Sequence, residues 1–393
     1  MQKKVICQIL GLLFISFSVS SQRYLSPVFP SSTSSLDIQY GSNLNYKGNT
    51  ENLLLDFYEP IGDTLSKRPL LIYVHGGGFT DTNQNKSLNH IVAFADSLAR
   101  RGYTVASINY RLDTSISNRA VINAMHDTKA AVRFFRANAS LYKIDTNLIF
   151  MGGESAGAIT SLTTTYINTS AEVSFPNTLP LTNDNSVEGN SGHPGFSSEV
   201  KATLCFCGGT YTILKEPLFD TAAINSGDQP ILLIHSTHDF FIPVSNALEI
   251  AQRVTNLGIP NLFYTMPGAG HCPWIYPLPN SWSYLDTLIE YSVPFLYACV
   301  QQSTSINNHS KIQNLKIYPN PTADLAIIQI DNSFSQSADL FIRGIIGNLK
   351  EKKSVEIVNG TIILDLKNYQ NGLYLLELNL TKAKFKGSLL IAH

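Results

Sequence analysis

Apolar and polar positions fall into alternating blocks along this chain. Seven short runs, Leu53–Tyr58, Leu70–Val74, Thr104–Ile108, Leu148–Gly152, Val200–Phe206, Ile231–His235 and Leu262–Thr265, carry few polar interruptions, as strands covered on both faces do. Between them, Leu88–Arg100, Val121–Asn138 and Val244–Leu257 repeat apolar residues with a helical period. Strand, turn and helix in that rhythm predict a mostly parallel sheet flanked by helices, an α/β class of fold.

Four stretches break the rhythm. Residues 1–21 pair Lys3 and Lys4 with the apolar run Ile9–Phe17 and the small residues Ser18–Ser21, the layout of a cleaved signal peptide. The run is too short to span a bilayer comfortably, and no other transmembrane candidate follows. A Ser- and Pro-rich lead covers Ser26–Ser35. Asn168–Ser198 is rich in Asn, Ser, Pro and Gly, long for a connection, and placed where a lid or pocket wall could sit. Gln301–Gln313 is polar and reads as a linker. Beyond it, Leu315–Tyr318, Ala326–Ile330, Leu340–Ile345, Thr361–Leu366, Leu373–Leu378 and Gly387–Ile391 predict a small all-β sandwich. The expected organisation is a signal peptide (1–21), a catalytic α/β domain (22–300), a linker (301–313) and a β-sandwich (314–393).

Composition narrows the partners. Charged residues make up 15% of the 393 positions and the formal net charge is −1, so there is no broad attraction for nucleic acid. Removal of residues 1–21, with Cys7, leaves Cys205, Cys207, Cys272 and Cys299, an even set entering an oxidising compartment. Buried thiols and bridges are both open. A strand through Cys205 and Cys207 would put both side chains on one face, and a bridge from either to Cys272 would tether the segment around His271 to the sheet. The spacing does not suit a zinc site.

The chemistry centres on Gly153-Glu154-Ser155-Ala156-Gly157, which follows one predicted strand and precedes a helix. A strained turn there would expose the serine hydroxyl, with glycines allowing close backbone approach. The pattern alone is weak, on the order of 0.1 to 0.2 chance matches in a chain of this composition. Support comes from His75-Gly76-Gly77-Gly78-Phe79, directly after a strand. Two backbone N–H groups of this glycine loop, with the N–H of Ala156 as a third, could serve as oxyanion donors. A phosphate loop would want Lys after the last glycine, not Phe79.

A serine needs a base and the base needs a carboxylate. His271, in Pro267-Gly268-Ala269-Gly270-His271 after the last core strand, and Asp239, just past the strand Ile231–His235, follow Ser155 in the order serine, acid, histidine. Asp228 and Asp220 are weaker substitutes. His75 is read as shaping the glycine loop, His235 as a satisfied core histidine, and Asp127 as a structural ion-pair or capping residue.

Together HGGGF, GESAG, HSTHDFFIP and GAGH resemble the carboxylesterase branch of the α/β-hydrolase superfamily over roughly residues 36–299. The resemblance implies Ser155 as nucleophile, Asp239 as acid, His271 as base, oxyanion donors at Gly76, Gly77 and Ala156, and no metal or organic cofactor. LLLDFYEP (Leu53–Pro60) is similar to members that cleave acetyl or feruloyl esters from plant polysaccharide, which makes small-molecule or polysaccharide-linked esters the expected substrates. The tail, with IYPNPT at Ile317, NGLYL at Asn371 and Lys384 and Lys386 before Leu389-Leu390-Ile391, resembles the C-terminal sorting domain of type IX secretion cargo. It implies that secretion machinery as a partner and the cell surface or exterior of a Gram-negative bacterium as destination. A prolyl-oligopeptidase-type peptidase is the enzymatic alternative, and a non-catalytic binding protein on a hydrolase scaffold the other.

Overall fold

The structure, a computed structural model, describes residues 23–173, 186–210, 219–275, 281–304 and, with short interruptions, 312–391. The expected signal peptide lies outside the described residues. The chain divides between Ser303 and Thr304 into two compact units.

The first unit is built on eight strands: β1 (Ser32–Leu44), β2 (Thr50–Pro60), β3 (Arg68–Val74), β4 (Thr104–Ile108), β5 (Ile144–Glu154), β6 (Thr203–Phe206), β7 (Ile231–Ser236) and β8 (Asn261–Met266). Their order in the sheet is β1-β2-β4-β3-β5-β6-β7-β8. β1, β2 and β4 pair antiparallel, whereas β4, β3, β5, β6, β7 and β8 pair in parallel. Among the described residues, five longer helices accompany the sheet: α1 (Asn89–Ala99), α2 (Asn118–Ala137), α3 (Ala156–Tyr166), α4 (Val244–Asn256) and α5 (Ser281–Thr304).

Every residue of β3 is buried, the signature of a central strand with both faces covered. Leu70, Ile72 and Val74 join Val121, Ala131 and Phe135 of α2 in one core. Tyr73 points to the opposite face and meets Phe94 of α1 at 5.4 Å between ring centres. The carboxyl ends of β3, β5 and β7 open into the loops that carry the motifs, the place where open α/β sheets build their sites.

The structure departs from the sequence expectations at identifiable places. The lead ending at Ser35 is not all irregular, because β1 begins at Ser32 and adds an edge strand with a largely exposed pattern. The linker is shorter than 301–313: α5 runs through Thr304 and a strand starts at Ile312. β6 ends at Phe206, so Cys207 does not share a strand face with Cys205. It takes a positive φ of 44° instead and forms a disulfide with Cys272, while Cys205 and Cys299 are buried outside the bridge. Within Asn168–Ser198, positions 174–185 lie outside the described residues; the remainder includes a 3-10 turn, Ser170–Glu172, and a part that packs on α2. There Glu188 pairs with Lys129 and Arg133. Asp127, expected as a structural residue, grips Arg111 and accepts from Ser191.

The second unit holds two sheets around one core. β10 (Lys316–Tyr318), β11 (Leu325–Gln329) and β14 (Thr361–Asp365) form the smaller sheet. The larger runs β13 (Leu349–Ile357), β12 (Gln336–Gly344), β15 (Gly372–Asn379), β16 (Lys384–Ile391) and β9 (Ile312–Asn314). Both are antiparallel except where β9 pairs with β16 in parallel. Ala326, Ile328, Ile362 and Leu364 from one sheet meet Leu340, Ile342, Leu376, Leu378 and Leu389 from the other, an inward set at every second position. β13 had no apolar run to announce it, since its sequence is LKEKKSVEI. Among the described residues no helix is long and apolar enough to cross a membrane.

Candidate active site

The turn from β5 to α3 carries Ser155 in a conformation non-glycine residues avoid, φ 52° and ψ −119°, at a cost on the order of 1–3 kcal/mol. The flanking glycines show what holds it there. A Cβ on Gly157 would stand 2.0 Å from the Val74 carbonyl oxygen, and one on Gly153 would stand 2.6 Å from the same atom. Only hydrogen at both positions lets the turn press against the end of β3. The Ser155 N–H donates to the Phe206 carbonyl at 3.0 Å, tying the turn to β6 on its other side.

The three residues singled out as a triad come together in one line. His271 Nε2 lies 2.8 Å from Ser155 Oγ, and His271 Nδ1 lies 2.7 Å from Asp239 Oδ2. With Nδ1 protonated toward the carboxylate, Nε2 is free to accept the serine proton. The Asp239 Oδ1 accepts from the N–H groups of Phe241 and Ile242. Burial alone would push this carboxyl up, but hydrogen bonds from His235 and His271 outweigh it and hold it below the usual carboxylate range. His235 is therefore more than a satisfied core residue: its Nε2 donates to Ile242 O at 2.8 Å and reaches Asp239 at 3.2 Å. Asp220 caps a short 3-10 helix and Asp228 closes a turn.

The glycine loop after β3 sits against the serine. A Cβ on Gly76 would stand 3.3 Å from Ser155 Cβ, and Gly77 takes a φ of 106° that favours glycine. His75 Nδ1 bonds Gly76 O at 2.7 Å and its ring stacks on Tyr110, whose hydroxyl donates to the carbonyls of His75 and Gly76. Burial pushes the His75 imidazole down to about 4, so it is neutral at neutral pH. Ala156 opens α3, where the first N–H groups lack intrahelical partners and the helix dipole favours negative charge.

Two further residues were invisible as site components in the sequence. Glu154, the variable position of the serine motif, is fully buried and accepts from His90 Nε2 at 2.7 Å, Tyr73 Oη at 3.1 Å and Trp274 Nε1. Burial would raise its carboxyl, yet the His90 charge and these donors hold it below the usual range. Trp274 and Cys272 belong to the His271 loop, so that loop is fastened to the serine turn through Glu154 and to the end of β6 through Cys207. The ligand atoms of Cys207, His271 and Cys272 converge within 4.8 Å, but the bridge takes up both sulfurs, which leaves the imidazole as the donor there.

The folded surroundings can now be set beside known proteins. Residues 55–210 match the family model BD-FAE, and residues 316–392 match the secretion system C-terminal sorting domain. Over these two stretches the chain is similar to that family and to that sorting domain. The chain is 28% identical over 238 residues to esterase LipC of Mycobacterium tuberculosis, covering 56% of this chain and 56% of that relative. A secreted lipase of Arthroderma benhamiae is 30% identical over 121 residues, 27% of this chain and 24% of its own length. The chain thus spans about half of the first relative and about a quarter of the second. In structure, the chain is similar to a truncated carbohydrate esterase from gut microbiota (TM-score 0.52, 21% identity, 70% of this chain and 98% of that one). It is equally similar to Thermogutta terrifontis esterase 2 phosphorylated by paraoxon (TM-score 0.52, 19% identity, 67% and 94%). At these identities the likeness shows the fold, an α/β hydrolase. The sorting domain marks the chain as an exported one.

Proposed function

We propose that this chain is a serine carboxylesterase that works through an acyl-enzyme. The observation that carries the reading is the unbroken line from Ser155 Oγ through His271 to the Asp239 carboxylate. His271 Nε2 takes the proton of Ser155 as Oγ attacks the ester carbonyl. The negative charge that develops on the carbonyl oxygen is met by backbone N–H groups of Gly76, Gly77 and Ala156 and by the positive end of α3. The imidazolium, stabilised by ionised Asp239, then protonates the departing alcohol. Water repeats the sequence on the acyl-enzyme and returns free acid and enzyme.

For substrate we propose acetyl or feruloyl esters attached to polysaccharide, supported by the LLLDFYEP segment, which forms β2 beside the core, and by similarity to a carbohydrate esterase. For destination we propose the surface or exterior of a Gram-negative bacterium, reached through type IX machinery that reads the sorting domain. The peptidase alternative has no supporting observation: among the described residues, the second unit is a small sandwich, not a propeller gating a tunnel.

The test is hydrolysis of acetyl, butyryl and feruloyl aryl esters by the full chain and by Ser155→Ala. Turnover in the wild type and loss of at least about 10⁴-fold in the variant is the expected result; an unchanged rate in Ser155→Ala ends the proposal.

A further inference from the structure

The His271 loop has no regular structure between the end of β8 and Ile275, yet it must present an imidazole to Ser155 with tolerances of a few tenths of an ångström. Before the histidine, the Ala269 carbonyl accepts from Ser236 Oγ and the Gly268 N–H donates to Thr237 Oγ1. After it stands Cys272, buried and at a positive φ of 42°. Its partner Cys207 follows Phe206, whose carbonyl holds the Ser155 N–H, and the Cys207 N–H itself donates to Ile234 of β7 at 2.8 Å. A closed ring results: Ser155 Oγ to His271, His271 to Cys272 through the chain, Cys272 to Cys207 through sulfur, Cys207 to Phe206 through the chain, and Phe206 O back to Ser155 N.

We infer that the Cys207–Cys272 disulfide positions His271 for reaction with Ser155, so that turnover is conditional on oxidation of this pair. The bridge fastens the base to the same backbone segment that holds the nucleophile, which limits how far they can separate. Without it, the residues after His271 are held by the Trp274 hydrogen bond to Glu154, a contact two residues further along the loop. Because the chain is exported, both cysteines are thiols before export and meet oxidant only afterwards. The active alignment then forms outside the cytoplasm. Cys205, buried on β6 with its thiol pushed up to about 12, is a poor thiolate and so a poor competitor for the bridge.

The inference rests on the esterase reading, and the experiment separates the two. The full chain and its Cys207→Ala/Cys272→Ala variant are assayed on an acetyl aryl ester well below the variant's melting temperature. The expected result is a kcat lower by about 10²-fold with KM within about threefold. A purely structural bridge would lower only the melting temperature; equal kcat in the two proteins overturns the inference. Should the variant not fold, wild type is reduced with dithiothreitol. One thiolate attacks a sulfur of the bridge, the second displaces it, and two electrons and two protons pass to Cys207 and Cys272 as the reagent closes to its cyclic disulfide. Mass after alkylation counts the thiols, and near-ultraviolet circular dichroism reports packing. Activity lost with packing intact and regained on reoxidation is expected; activity retained with the bridge cleaved overturns the inference. No hydrolysis by oxidised wild type sinks the esterase reading, and this inference with it.

Discussion

The two halves of the candidate site are fastened in opposite ways. The serine turn is held by backbone: strand β5 feeds helix α3 directly, two glycines let it lie against Val74, and the Ser155 N–H donates to Phe206 O. The histidine loop is held mainly by side chains. It depends on a disulfide across 65 positions and hydrogen bonds to Glu154 and Asp239 across 120 and 32. Backbone fastening resists everything except a change of backbone space, whereas side-chain fastening can be removed one residue at a time. The two halves should therefore fail differently.

The largest effect is expected on the histidine side. Asp239→Asn keeps the shape of the acid but turns an acceptor-only group into one that can donate, which favours the wrong tautomer of His271. A kcat loss of about 10⁴-fold is expected, about 5 kcal/mol of transition-state stabilisation, with a melting temperature that moves little by comparison. A variant with near-normal kcat would show that Asp239 does not orient the base, and Asp239 would leave the site.

The serine side should fail by misfolding instead. Gly157→Ala places a methyl 2.0 Å from the Val74 oxygen, and backbone on both sides leaves no route for relief. Destabilisation of about 4 kcal/mol or more is expected, read as loss of soluble protein or a melting point lower by many degrees. A stable, active Gly157→Ala protein would show that this contact is not what fixes the turn.

This contrast also explains what could be read in advance. Glycines around Ser155 and after His75 are short-range requirements, so they leave a local pattern in the sequence. His271 and Asp239 were legible through their order and their places after strands. The partners of the histidine loop were not: any residue type can occupy the variable position of G-x-S-x-G, so Glu154 carries no signal, and nothing local chooses Cys207 over Cys205. The same reasoning covers the elements missed. β1 exposes most of its side chains, β13 is dominated by charge, and α5 contains Pro294, so each lacks the periodic apolar stripe that names an element. His235 was readable as buried, but its hold on Asp239 comes from the tight turn after β7.

A third difference between the halves lies in acid. His75, beside the glycine loop, is neutral in the folded chain with its imidazole near 4, against about 6.5 when unfolded. Its folded value is the lower, so the unfolded state binds the extra proton and stability falls as pH drops from about 6.5 to about 4, by on the order of 3 kcal/mol. His90 works in the other direction. Burial opposes its charge but Glu154 more than compensates, raising it, so its contribution is complete below about 6.5 and is lost as pH rises through its folded value. Asp239, held low, keeps its contribution until strongly acid pH. Melting curves of wild type between pH 7 and 4 should thus fall, and those of His75→Gln should fall less. Parallel curves would mean that the acid sensitivity lies elsewhere. Melting is the readout, because it reports stability apart from turnover.

The smallest effect expected is at the hydrogen bond between Trp274 of the histidine loop and Glu154 of the serine turn. Trp274→Phe keeps the aromatic body against Phe206, 6.1 Å away between ring centres, and removes only the N–H that Glu154 accepts. Glu154 retains His90 on one oxygen and Tyr73 on the other, so the carboxylate is not orphaned and the stability cost should be about 1 kcal/mol. The histidine loop loses its fastening to the serine turn, and kcat should drop about tenfold with KM unchanged. Joined to Cys207→Ala/Cys272→Ala, the substitution distinguishes two designs. If both tethers hold His271 together, losing the second after the first costs more than it does alone, a coupling that a double-mutant cycle reads directly. If the costs simply multiply, each tether restrains its own part of the loop and contributes its own factor to the alignment.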